Sequence, residues 1–242
     1  MNTTTSIAKR TLLTENEITE MYAVFSKSYK NTQEDRFRAD LDGKDWVILL
    51  LGADRKIVGF STLEVYRHEG PCGPAVIMYS GDTVVDHAHR TSGHLAGAFG
   101  HLMLHTIKGS NGVPVYWLLT SKGARTYRFL PVFFRNFYPA FDSRVPPDVK
   151  RLIDEVAKEK FGKEYSVATQ TVCHQGLRDT LNASEVVPIL KRTSDAHIRF
   201  FLEWNPGYVQ GDELVCIARV AEHNLNSRSR RVIECTEVEW RI

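Results

Sequence analysis

Apolar residues recur at helical spacing in three stretches of the chain. The first stretch begins at Thr14 and Glu17, whose spacing is that of a capping box at a helix start. The second runs from Gly93 to Lys108 and the third from Asp148 to Phe161, and a glycine follows each of them. The pattern predicts three amphipathic helices. The glycines mark the ends of the second and third, because glycine commonly ends a helix.

Runs of β-forming residues alternate with the predicted helices. The runs Trp46 to Leu51 and Ile57 to Tyr66 are separated by five residues, of which Ala53 to Lys56 form a polar segment, and this predicts an antiparallel hairpin. Two further strands are predicted at Ala75 to Val85 and at Val115 to Thr120. The order of helix, hairpin, strand, helix and strand indicates an α/β fold built on a mixed sheet.

The last part of the chain has a less regular pattern. Ser194 is predicted to cap a short helix that reaches Trp204. The segments Glu213 to Val220 and Arg231 to Trp240 are predicted to be strands that pair as a hairpin. The basic run of Arg228, Arg230 and Arg231 is interpreted as a solvated turn between them.

Aromatic residues crowd the segment before two consecutive prolines, which indicates a boundary near residue 143. We expect a domain of residues 10–143, followed by an α+β extension of residues 144–242 that packs on the first domain. The aromatic residues are interpreted as core or as a seam between the two parts. They are Phe129, Phe133, Phe134, Phe137, Tyr138 and Phe141.

Composition narrows the classes of function. With 31 Lys and Arg against 29 Asp and Glu, the chain has a formal net charge of +2, which gives no electrostatic footprint for nucleic acid. The four cysteines form no metal-ligand pattern, and His101 and His105, four residues apart, lack a third ligand, so no metal is predicted. The start of the chain lacks the apolar core of a signal peptide, which favours a cytoplasmic protein without a membrane partner.

The residues that follow the strand ending at Val85 carry the strongest functional motif. The sequence Arg90-Thr91-Ser92-Gly93 opens the second predicted helix. A helix start with a glycine turn presents unpaired N–H groups and the positive end of the helix dipole, which suits a pyrophosphate. We therefore predict an anion-binding loop here.

This loop resembles the pyrophosphate-binding loop of the GNAT-type N-acetyltransferase superfamily, and Thr120 to Phe129 resembles the family's segment carrying a tyrosine near the thioester. The resemblance covers residues 10–140. It implies a fold with splayed central strands and an acyl-CoA co-substrate, acetyl-CoA or a longer acyl-CoA. Leu95 departs from the family's small residue at that position. The implied donor-binding residues are Val84, Val85, Arg90, Thr91, Ser92, Gly93, His94 and Leu95.

Acyl transfer to an amine needs a base for the ammonium and an acid for the departing thiolate. Asp82, at the end of the strand before the loop, is the predicted base, and Tyr127, at the resemblance's tyrosine position, is the predicted acid. His87, His89 and Glu64 are alternative bases. Local hydrogen bonding by Asp82 and a purely structural role for Tyr127 remain open.

The predicted function is transfer of an acyl group from acyl-CoA to an amine by direct attack in a ternary complex. Cys72 is not predicted to be a nucleophile, because the sequence places no base beside it. A small-molecule amine is the expected acceptor, and a homodimer is possible. The alternatives are a non-catalytic ligand-binding module of the same fold, favoured by Leu95, and an enzyme that uses a longer-chain or carrier-protein donor.

Overall fold

The computed structural model describes residues 3–90, 93–174, 179–182, 186 and 194–242. The strands of these residues are β1 (Thr4–Lys9), β2 (Tyr29–Lys30), β3 (Trp46–Leu51), β4 (Ile57–Gly70), β5 (Gly73–Val85), β6 (Val115–Ser121), β7 (Tyr165–Ser166), β8 (Thr171–Val172), β9 (Thr180–Leu181), β10 (Glu213–Val220) and β11 (Val238–Arg241). The α-helices are α1 (Glu15–Ser28), α2 (Glu34–Asp42), α3 (His94–Gly109), α4 (Ala124–Tyr127), α5 (Phe129–Phe133), α6 (Pro147–Phe161), α7 (Ala196–Trp204) and α8 (Ser227–Glu234).

A nine-stranded sheet forms the centre of the described protein. Its strand order is β11-β1-β3-β4-β5-β6-β10-β8-β7. The pairs β5–β6 and β1–β11 are parallel and the others are antiparallel. A separate two-stranded sheet joins β2 and β9. The mixed α/β class and the hairpin of β3 and β4 predicted from the sequence are therefore confirmed.

Helices cover both faces of the sheet. The side chains of β3 alternate: Val47 and Leu49 join the core under α1, whereas Ile48 and Leu50 join the larger core under α3. A third apolar cluster packs α6 on the face that α1 also covers. The sheet thus has α1, α2 and α6 on one side and α3 with the aromatic core on the other.

The first helix begins as its sequence predicts. The Thr14 hydroxyl accepts a hydrogen bond from the Glu17 backbone N–H at 3.3 Å, and the Glu17 carboxylate accepts one from the Thr14 backbone N–H at 2.8 Å. This reciprocal arrangement satisfies two N–H groups at the helix start. The capping box predicted from the spacing of these two residues is confirmed.

Three predictions for the last part of the chain are wrong. The predicted strand from Arg231 to Trp240 is instead the end of α8 followed by the short β11. The side chain of Asn226 caps α8 by accepting from the Ser229 N–H at 2.8 Å, and Ser229 and Ile233, one turn apart, are buried. The basic run therefore lies on a helix, and the cap of α7 is Asp195 rather than Ser194.

The predicted pairing of the two C-terminal strands is also wrong. Strand β10 lies between β6 and β8, and β11 pairs with β1 at the far edge of the sheet. Alternate residues of β10 enter the cores on both faces, as a strand inside a sheet requires. Partners this distant leave no trace in the local hydrophobic pattern.

The residues after position 143 are joined closely to those before it. They supply β7, β8, β10 and β11 to the same sheet, and α8 packs directly against α3. Gly97 and Gly100 permit this approach, because a Cβ on either would collide with Thr236 or Ile233. The division of the chain at residue 143 into two folding parts stays a prediction.

Candidate functional site

The parallel strands β5 and β6 separate before β5 ends. Their register runs from Val76 opposite Val115 to Ser80 opposite Leu119, whereas β5 continues to Val85. On its other edge β5 stays paired to β4, with an irregular register at this level. Among the described residues, no strand pairs with the β6-facing edge of residues 81–85. That backbone edge is open to a further strand up to Val85, whose carbonyl accepts a hydrogen bond from Arg90 Nε.

A cavity of about 800 Å³ lies at this opening. The last residues of β5 and the segment that follows β6 line it together with side chains of α1, α2 and α6. Asp179 and Leu181 of the C-terminal part close another side. The cavity therefore lies on the α1 and α6 face of the sheet and combines groups from both halves of the chain.

Asp82 lines this cavity, as predicted from its position at the end of β5. Burial, followed by the negative charge of Asp40, raises the pKa of Asp82 to about 7, although Lys122 opposes the shift. Its carboxylate accepts no hydrogen bond from any residue that the structure describes. A carboxylate with this pKa can take up a proton near neutral pH.

Lys122 is held beside the same cavity by carboxylates from the C-terminal part. Its Nζ lies 2.6 Å from Asp179 Oδ2 and 3.3 Å from Glu213 Oε1, and the three side chains are 16, 15 and 12 % exposed. Burial opposes the ammonium charge, but the two carboxylates outweigh it and raise the pKa of Lys122. His174 Nε2 also lies 3.3 Å from Glu213 Oε1, and the pKa of Glu213 falls to about 2 because Lys122 and His174 outweigh its burial.

Two tyrosines line the cavity. The Tyr29 ring centroid lies 5.7 Å from Lys122 Nζ, and the Tyr79 hydroxyl lies 3.5 Å from Thr120 Oγ1. Lys160 Nζ lies 4.2 Å from the Tyr79 ring centroid. Burial raises the pKa of both phenols above its usual value, so both remain protonated at neutral pH.

The structure corrects the role expected for Tyr127. This residue is fully buried in the core that contains α3, on the opposite face of the sheet from the cavity. Its hydroxyl donates to the Pro139 carbonyl at 2.9 Å, and its ring packs against Phe137 and Phe200. The phenol is therefore committed to a backbone partner and does not reach the cavity.

The alternative bases also lie outside the cavity lining. His87 and His89 belong to a short 3-10 turn after β5, and Glu64 pairs with Lys160. Cys72 is exposed, with its Sγ 3.4 Å from a Glu155 carboxylate oxygen. Of the proposed acids and bases, Asp82 alone lines the cavity.

The predicted donor loop lies beside the cavity. Val84, Val85 and Arg90 line it, and Arg90 Nε donates to the Val85 carbonyl at 2.7 Å. Thr91 and Ser92 lie outside the described residues. Gly93 precedes α3 with a φ of +71°, a conformation that favours glycine.

The start of α3 has the features of an anion site. No side chain of a described residue caps the helix at Gly93. His94 Nδ1 lies 2.7 Å from the hydroxyl oxygen of Thr3, the residue before β1, and this hydrogen bond fixes the position of the His94 ring. Leu95 is 6 % exposed and packs in the core under the helix, so its side chain leaves the helix start open and only its backbone N–H is presented there.

Sequence reasoning missed Lys122, Tyr29 and Tyr79 as cavity residues. Lys122 directly follows β6 within the segment that carried the family resemblance, so its place at the strand end was a usable signal. Asp179 and Glu213, more than 50 residues further on, reach the cavity through long-range contacts that no local pattern indicates.

Solved acetyltransferase structures are similar to just over half of this chain. A probable N-acyltransferase from Enterococcus faecalis V583 is 14 % identical, with 55 % of this chain and 33 % of that chain covered and a TM-score of 0.42. The GNAT family N-acetyltransferase YhbS from Escherichia coli, in complex with CoA, is 10 % identical, with 53 % and 69 % covered and a TM-score of 0.39. A GCN5-related N-acetyltransferase from Kribbella flavida is 15 % identical, with 56 % and 34 % covered and a TM-score of 0.40.

These similarities concern the fold, and we transfer no residue role or activity from them. The chain spans about a third of the length of the Enterococcus and Kribbella proteins. No family model matches the chain, and no curated protein sequence matches it significantly. The described residues contain no group of three or more His, Cys, Asp or Glu side chains that could hold a metal ion. No helix among them is long and apolar enough to cross a membrane.

Proposed function

We propose that this chain is an N-acyltransferase that moves an acyl group from an acyl-CoA thioester to a primary amine. The separation of β5 and β6 beside the start of α3 carries the proposal. An extended chain with amide groups can pair with the open edge of residues 81–85 as an added strand, and the amide-containing arm of coenzyme A has this chemistry. The uncapped helix start then suits the pyrophosphate at the other end of that arm.

The donor contacts follow from this arrangement. Val84 and Val85 provide the strand edge, Arg90 adds positive charge, and the backbone N–H groups from Gly93 to Leu95 face the pyrophosphate. Participation of Thr91 and Ser92 stays a prediction. Of the aromatic cluster, Phe133, Phe134 and Phe137 are buried in the core, whereas Phe129 lines the cavity. The length of the acyl chain stays open in this proposal.

The reaction starts with the acceptor's ammonium group beside the Asp82 carboxylate. Asp82 takes a proton from the ammonium, and the free amine attacks the thioester carbonyl. The new C–N bond forms, the C–S bond breaks, and the sulfur leaves with the electron pair as a thiolate. The amine nitrogen then loses its second proton to solvent, Asp82 releases the proton that it took up, and the thiolate takes one proton. The net products are an amide, coenzyme A and one proton.

The acceptor is a small molecule in this proposal, since the cavity has to hold both its amine and the thioester end of the donor. A cytoplasmic location and a homodimer stay predictions. The rival function, a non-catalytic binding module, was favoured by Leu95. Its support weakens because the Leu95 side chain lies in the core and leaves the helix start open.

The test combines binding with turnover. The full chain is titrated with acetyl-CoA in a calorimeter and then incubated with acetyl-CoA and a panel of primary amines, while released thiol and acetylated product are measured. We expect saturable donor binding and amine-dependent thiol release. Binding without transfer to any amine would favour the non-catalytic module, and absence of donor binding would refute the proposed site.

A further inference from the structure

Lys122 lies across the strand opening from Asp82. The β5–β6 pairing ends at Ser80 and Leu119, so Asp82 is two residues beyond the last pair on one strand and Lys122 is three residues beyond it on the other. Both side chains line the cavity. A donor thioester seated in the opening therefore has the Asp82 carboxylate on one side and the Lys122 ammonium on the other.

The Lys122 ammonium has a hydrogen-bond donor to spare. An ammonium has three N–H groups. One donates to Asp179 Oδ2 at 2.6 Å, and Glu213 Oε1 is an ion-pair partner at 3.3 Å. Among the residues that the structure describes, no other side chain accepts a hydrogen bond from Lys122 Nζ. His174 contacts Glu213 as well, so the two carboxylates that fix the ammonium belong to a larger network supplied by residues after 143.

We propose that Lys122 is a catalytic residue that donates a hydrogen bond to the sulfur of the acyl donor and stabilises the departing thiolate. This inference rests on the proposed acyl transfer. As the C–S bond breaks, the electron pair collects on sulfur, and the fixed positive charge lowers the energy of that anion without giving up its proton. Lys122 thus takes over the task that the sequence assigned to Tyr127.

The same geometry gives the C-terminal part a task in the site. Asp179 and Glu213 hold the ammonium in one place, so little reorganisation is needed when the thiolate forms. The other charged or titratable groups that act on Lys122 are Tyr29 and Asp82. Their ionisation affects the affinity for both coenzyme A analogues equally. The ratio of the affinities for two analogues that differ only in the sulfur therefore reports on the ionisation of the thiol.

The experiment measures the affinity of the full chain for CoA and for desulfo-CoA by calorimetry between pH 6 and pH 9. A free thiol of this kind titrates near pH 8.5, and a neighbouring cation lowers that pKa by about one unit or more. The preference for CoA over desulfo-CoA should therefore grow about five- to tenfold across this range. In Lys122→Met the growth should fall below about twofold.

Lys160→Met is the matched control, because Lys160 is another carboxylate-paired lysine of the cavity lining but belongs to α6 and not to the strand opening. It should keep the wild-type pH dependence. If the wild-type preference does not change with pH, or if Lys122→Met behaves as the wild type does, the inference is overturned. An unchanged wild-type preference overturns it even if Lys122→Met does not fold. If neither analogue binds, the proposed donor site fails as well.

Discussion

Replacing Asp82 by Asn is expected to lower the acyl-transfer rate about a hundredfold or more at pH 7, because general-base assistance is typically worth that much. Only the ionised carboxylate can take the ammonium proton, and the pKa of Asp82 is about 7. The wild-type rate should therefore fall as the pH drops below 7. In Asp82→Asn, part of the lost rate should return at high pH, where the amine loses its proton without help.

The same substitution has an expected effect on stability. The folded-state pKa of Asp82 is raised from 3.8 to about 7, so the unfolded chain binds fewer protons at this group and stability falls as the pH rises through that interval. Above pH 7 the carboxylate is ionised, and its burial then lowers the free energy of unfolding by the full amount. Removing the charge should therefore raise the free energy of unfolding at pH 8 by about 2 to 4 kcal/mol.

Two controls accompany Asp82→Asn. Asp35→Asn removes a charge of the same kind from the exposed surface of α2, and Tyr127→Phe removes the phenol that the sequence assigned to the site. Steady-state rates and urea unfolding are measured for all three variants. The base assignment is wrong if Asp82→Asn loses less than about threefold in rate, or if Tyr127→Phe loses as much.

Gly93→Val is expected to lower the affinity for acetyl-CoA at least tenfold. Gly93 has a φ of +71°, which valine rarely adopts, so the backbone has to move in the variant. In the proposed complex the pyrophosphate of the donor binds at this place, the start of α3. Apart from its chain neighbours, no described residue lies within 4 Å of a Cβ added at Gly93, so a collision of the new side chain with those residues does not explain the loss. Calorimetric titration of the folded variant measures the effect.

Gly112→Val is the matched control for this experiment. Gly112 has a φ of +84° with equally open surroundings, but it follows the other end of α3. Both variants should lose similar stability from backbone strain. Equal donor affinities in the two variants would contradict the placement of the pyrophosphate at Gly93.

Local patterns predicted α1, β3, β4, β5, α3 and β6 in their order, but they missed β1, β2 and α2. Thr14 and Glu17 set a helix start through contacts three residues apart, and the unbroken apolar run Trp46–Leu51 reflects a strand with cores on both faces. Such signals depend on neighbours in sequence. The pairing of β10 with β6 and of β11 with β1 depends on partners roughly 100 and 230 residues away, and the sequence contains no local record of them.

The site was predictable to the same extent. Asp82 could be selected because its place at a strand end follows from the strand itself, and it lines the cavity, but its role as the base stays a prediction. Tyr127 was misassigned because α4 is only four residues long. In so short a helix, the spacing of residues does not show on which face of the sheet the Tyr127 side chain lies. Lys122 could not be singled out because its ion-pair partners, Asp179 and Glu213, come close to it only in the folded chain.

Hydrogen–deuterium exchange of the full chain with and without acetyl-CoA tests the central claim most directly, namely that the donor lies in the opening between β5 and β6. The predicted result is slower exchange, by about tenfold or more, at the open backbone of residues 81–85 and at the first turn of α3 from Gly93 onwards. Unchanged exchange in both segments at a saturating donor concentration, or protection confined to another surface, would contradict the account.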